Sequence, residues 1–116
     1  GFRGVLPYRY YYDTPAKAPM LDKIRQMRPE YQSTAYIQGF LAAMLFTEAA
    51  KRTLDARKEL NGKNLKAALN SIKDFDTGGL IGVPITIKGN SIPVGRVYKA
   101  DMKAQRMVPA SDWIAL

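Results

Sequence analysis

Asp74 and Asp76 stand two residues apart, and paired carboxylates can do acid–base work when their surroundings drive their pKa values apart. No catalytic partner accompanies them in the sequence. An Asp beside glycines is more often a turn residue whose carboxylate accepts bonds from nearby backbone N–H groups, and that reading is preferred. GGLIG at 78–82 invites comparison with a phosphate-binding loop, but such a loop needs a Lys-Ser/Thr pair and a following helix to aim N–H groups at phosphate. A strand pattern follows instead, so the run reads as a turn or hinge. The 116 residues include no cysteine and no histidine. This excludes disulfides, zinc sites built on those ligands, catalytic thiols and any Ser-His-Asp arrangement. The chain therefore reads as a binder rather than an enzyme, with no cofactor and no metal.

The residues best suited to binding are aromatic. Tyr8, Tyr10, Tyr11 and Tyr12 form the densest cluster, and tyrosine offers a flat apolar face with a polar tip suited to a ligand pocket. If 8–12 is extended, Tyr8, Tyr10 and Tyr12 share one face while Arg9 and Tyr11 share the other, which leaves at least one ring for the core. Tyr36 opens a long helix, where the first-turn N–H groups and positive dipole end can meet an anionic ligand. It also fits the helix's apolar stripe, so cleft and core readings both stay open.

The elements that must position these rings follow from periodicity. Residues 4–12 read as a strand leading into an aromatic loop, with Pro7 marking an edge or a change of direction. From Met20, Leu21, Ile24 and Met27 fall at helical spacing, and Arg28-Pro29 closes that helix. Ser33 or Thr34 can cap the next one, which runs to Leu60 with Tyr36, Ile37, Phe40, Leu41, Met44, Leu45 and Glu48 in one stripe. Asn61 or Gly62 ends it and starts a third, with Leu65, Ala68, Leu69 and Ile72 as its apolar face. At Gly78 and Gly79 the pattern changes to a two-residue period. PITIK and VGRVYKADMK then read as two strands joined by GNSIP. A lone strand before three helices leaves too little sheet for the helices to cover, which is awkward for a free-standing domain.

Composition sets the outer bounds. A hydrophobic fraction of 47% and a charged fraction of 24% are those of a folded soluble chain. No apolar run approaches the ~20 residues that span a bilayer, and GFRGVLPYRYYY does not have the form of a signal peptide. The net charge of +8 raises the possibility of a nucleic-acid partner. Its lysines and arginines are scattered, however, and those at 51, 52, 57 and 58 interleave with Glu48, Asp55 and Glu59, as on a solvated helix face. No nucleic acid is expected.

The segments YIQGFLAAMLFTEAAKR at 36–52, NLKAALNSIKDFDTGGLIGVPITI at 64–87 and SDWI at 111–114 resemble, in order and spacing, the C-terminal part of periplasmic substrate-binding proteins. The particular group is the branched-chain or hydrophobic amino-acid (Leu/Ile/Val) binding family of ABC importers. Phe40 departs from the Tyr or Trp common at its position. The resemblance implies an α/β fold: the C-terminal segment of a two-lobed type I periplasmic-binding-protein fold, as strand, three helices, then strands. Residues 1–12 would be a second-lobe strand and hinge, 13–80 first-lobe helices, and 81–116 a hinge crossing and returning strands. It implies a periplasmic receptor that captures a small organic solute by clamshell closure and delivers it to a membrane permease. Tyr36 is the best carried-over ligand contact, with Tyr10 and Tyr12 as further cleft residues. The chain would be a fragment, with the missing N-terminal portion of the same protein or a second copy as its partner. The alternatives are the ligand-sensing domain of a regulator, or a basic nucleic-acid-binding module.

Overall fold

The computed structural model describes residues 1–30, 32–89 and 91–115. The order of elements is β1 (Arg3–Leu6), α1 (Pro19–Met27), α2 (Thr34–Asp55), α3 (Gly62–Asn70), β2 (Val94–Asp101), β3 (Arg106–Pro109) and β4 (Ile114–Ala115). The fold is mixed α/β, with three helices and a small antiparallel sheet. β2 is its centre: β1 pairs with it in the register Val5↔Val97, β3 through Lys99↔Val108, and β4 through Gly95↔Ile114.

Each helix has a local cause. Pro19 sits in the first turn of α1, where its missing N–H is no loss, and Leu21 and Ile24 are its buried residues. The buried residues of α2 include Ile37, Leu41 and Ala49, with Tyr36, Phe40, Met44 and Leu45 half-buried beside them, so the expected stripe is the packed face. α2 ends at Asp55 rather than Leu60. Arg57 adopts a left-handed φ of 56°, and the Lys58 N–H reaches back to the Thr53 carbonyl, a termination that returns bonds to the last open carbonyls. The Asn61 side chain caps α3 by accepting from the Asn64 N–H. Ser33 precedes α2 but makes no side-chain cap bond.

Two expected strands differ. The strand read over 4–12 stops at Leu6, because Pro7 has no N–H to give a ladder. Residues 7–14 then coil, so the expected sharing of faces fails: Tyr8, Arg9, Tyr11 and Asp13 are buried together. PITIK forms no strand either. Ile85 exchanges a pair of backbone bonds with Phe75, and Lys88 pairs with Ser91, as isolated bridges. The alternation of Ile85 and Ile87 is real, and both side chains are buried, but among the described residues no neighbouring strand lies alongside. Asn90, in the expected GNSIP turn, lies outside the described residues.

The helices and the sheet meet through irregular chain. Among the described residues no strand's backbone comes close to a helix's, and segments 7–18, 71–89 and 91–93 fill the space between. The core there holds Tyr11, Leu21, Ile24, Ile37, Leu80 and Ile85. The molecule is elongated, 53 × 32 × 22 Å with a radius of gyration of 15.6 Å, against about 13 Å for a compact chain of this length. Its accessible surface is 7500 Å², where a compact monomer of this mass exposes about 6,300 Å². Phe46 and Leu54 on α2 are among the large apolar side chains left in solvent.

Candidate ligand-binding site

Two groups of residues stand out where helices and sheet meet, one aromatic and one charged. The aromatic group begins at Tyr36 in the first turn of α2. Its ring meets Tyr11 edge-on with centroids 6.4 Å apart, leans on Phe40 at 5.2 Å, and lies 5.9 Å from the Arg28 guanidinium. Tyr12 meets the other side of Tyr11 at 5.4 Å. Tyr11 is wholly buried, and its hydroxyl donates to the Arg28 carbonyl at the end of α1. Burial, reinforced by Tyr36 and Tyr12 alongside, pushes its pKa up, so it remains a neutral donor. Beside Tyr36, the small residues Ala35, Gly39 and Ala43 leave an open groove of about 360 Å³ along α2, walled by Tyr36 and Phe40. The arrangement offers an apolar aromatic wall with one cation above it.

Of the expected contacts, Tyr36 lines this groove and Tyr12 is joined to it through Tyr11. Tyr10 is half-buried. Its carbonyl accepts from the Asp13 N–H in a tight turn. Tyr11 is the residue that the strand alternation misplaced, since it links both rings while forming part of the core.

The charged group is centred on Asp13. One carboxylate oxygen accepts from Arg9 Nη1 and from the Tyr98 hydroxyl, each at 3.0 Å, with Arg96 Nη1 at 3.6 Å. Arg9 also donates through Nε to the Gly79 carbonyl at 2.7 Å, and its backbone N–H donates to Leu80 at 2.7 Å. The indole of Trp113 lies against both Arg9 and Arg96, each guanidinium 5.5 Å from the ring centre. Three stretches distant in sequence are thus tied at one point: 9–13, 79–80, and β2 with the C-terminal segment. Nothing in the local sequence around Asp13 announces this, because its partner Tyr98 belongs to the far strand.

Burial, then the charge of Asp13 and the hydrogen bond to it, push the Tyr98 hydroxyl up to about 12. An unfolded tyrosine releases its proton near its ordinary value of 10.0, so between these values the unfolded state loses a proton that the folded state keeps. Stability is therefore expected to fall as pH rises from about 10 to about 12, and Tyr98→Phe to flatten that limb of the curve. Urea unfolding at stepped alkaline pH, for both proteins, checks it.

The junction glycines shape the chain rather than a site. The Asp76 carboxylate accepts from the Gly78 N–H, the turn role expected of it. The Gly78 carbonyl accepts from Met20 in the first turn of α1, and buried Thr77 bridges both backbone groups of Ile81. Asp74 takes a left-handed φ of 49°, and its N–H donates to Thr86 Oγ1. Among the described residues, no group of three or more acidic side chains could hold a metal ion, and no helix is long and apolar enough to cross a membrane.

Searches against family models, curated proteins and solved structures return no match to this chain.

Proposed function

We propose that this chain is the C-terminal segment of a two-lobed periplasmic solute receptor, which captures a small organic solute such as a hydrophobic amino acid and presents it to the permease of an ABC importer. The observation that carries this reading is the tie between crossings. The chain leaves the sheet at 7–9 and comes back toward it from 80 onward, and the two passages are hydrogen-bonded side by side through Arg9 and Leu80. Adjacent crossings of this kind are what a hinge between two lobes requires. The Tyr36 groove opens on the helical side, where a solute held between lobes would meet an aromatic wall. The excess accessible surface fits a segment whose helices and sheet are completed by chain outside it. Closure would follow from contacts made by solute to both lobes, since a ligand shifts two states only by binding them differently.

The test is Tyr36→Ala in the intact receptor, titrated calorimetrically with its cognate solute. Affinity is expected to drop at least about tenfold, in keeping with the loss of a buried aromatic contact. Unchanged affinity would remove Tyr36 from the site.

A further inference from the structure

We infer that Trp113 is a releasable latch that fastens the sheet to the helical side of the molecule and sets how far the two can move apart. The inference does not depend on the receptor reading; it rests on how the indole is held. The ring lies against two guanidinium groups, those of Arg9 and Arg96, each 5.5 Å from its centre. Arg9 belongs to the outgoing crossing and is bonded to Gly79 and Leu80 of the returning one. Arg96 belongs to β2. The indole therefore staples to the sheet a residue that itself joins both crossings. Gly82 provides the seat: a Cβ there would overlap the indole nitrogen, so only glycine leaves room for the ring.

The same seat holds the indole imperfectly. Its Nε1–H is buried and has no hydrogen-bond partner among the described residues, a condition that costs free energy which an opened state, with water at the nitrogen, recovers. The segment behind it is weakly anchored. Among the described residues β4 comprises Ile114 and Ala115, both exposed, which pair with Gly95 and Val94. Ser111, before the tryptophan, is the firmer end: its hydroxyl oxygen accepts from the Val97 N–H and its carbonyl from Arg96 Nε. The strap is thus tied at 111, exposed at 114–115, and carries between them a group left unsatisfied among the described residues. Release frees one face of both arginines while leaving the Asp13 bonds in place, so the crossings lose their outer staple without losing their inner one.

Native-state hydrogen exchange on the unaltered chain tests this directly. The Trp113 Nε1–H is expected to exchange at least about a hundredfold faster than the Arg9 backbone N–H, through an opening smaller than global unfolding. Trp113→Phe keeps a flat ring against the arginines and removes the unsatisfied group; the opening that exposes the Gly95 N–H is expected to slow about fivefold. Gly82→Ala unseats the indole, and tryptophan emission, reporting the chain's single Trp, is expected to shift to that of a solvated ring with the far-ultraviolet circular dichroism unchanged. Exchange of Nε1–H only through global unfolding overturns the latch, whatever the two variants do.

Discussion

Asp13→Ala is expected to lower stability by about 3–5 kcal/mol, read as a fall in the urea midpoint. The magnitude belongs to removing one member of a buried ion pair and leaving the other charged without a partner. Both side chains qualify, with only 9% of the Arg9 side chain and 4% of the Asp13 side chain exposed. The substitution also strips the Tyr98 hydroxyl of its acceptor and Arg96 of its nearest carboxylate. Replacing Arg9, Asp13 and Tyr98 together by Met, Leu and Phe removes the buried Arg9–Asp13 pair and the hydroxyl at once, leaves the partly exposed Arg96 as the remaining charge, and is expected to recover most of the loss, because apolar side chains of similar volume commonly replace buried ion pairs at little cost. A loss below about 1 kcal/mol for Asp13→Ala would mean that water reaches the carboxylate.

The second large effect lies at the glycine junction. Gly79 has a φ of +91°, and a Cβ there would fall 2.5 Å from the Ala18 Cα. Gly79→Ala therefore meets backbone strain and overlap with main chain that cannot rotate away. Each costs about 1–3 kcal/mol, and a loss of about 3 kcal/mol or more is expected by thermal or urea unfolding. Gly89 separates the two causes. Its φ of +62° is also left-handed, but nothing lies within 4 Å of a Cβ there, so Gly89→Ala is expected to cost about 1 kcal/mol. Equal losses at the two positions would show that the close approach of Ala18 does not matter.

The helices were legible in the sequence because each carries a full local signal. Pro19 and Pro29 bracket α1, the apolar stripe of α2 runs over several turns, and Asn61 caps α3 through its own side chain. The strands were harder for reasons that differ from one to the next. β3 and β4 are short and owe their existence to β2, which lies elsewhere in the sequence, so no local pattern need mark them. The alternation in PITIK reports burial on one side correctly, but burial does not supply a neighbouring strand. At 8–12, alternation assumed an extended chain that Pro7 had already ended, and this is why Tyr11 was assigned with Arg9 on a face rather than to the centre of the aromatic group. Tyr36 could be singled out because a first-turn aromatic has few places to go. The Asp13 tie could not, since its carboxylate is matched by Tyr98 and Arg96, which no spacing rule connects to it.

The pairing of β1 with β2 joins residues roughly ninety positions apart, as Val5 and Val97 show. Closing so long a loop costs chain entropy before any sheet contact rewards it, whereas α2 and α3 are joined by a short connection and can meet early. The first strand to be made is then among the last to be placed. During that interval its exposed Phe2 and Val5 stand beside backbone groups that β2 has not yet taken up, and this end of the chain is the one most open to pairing with the wrong strand.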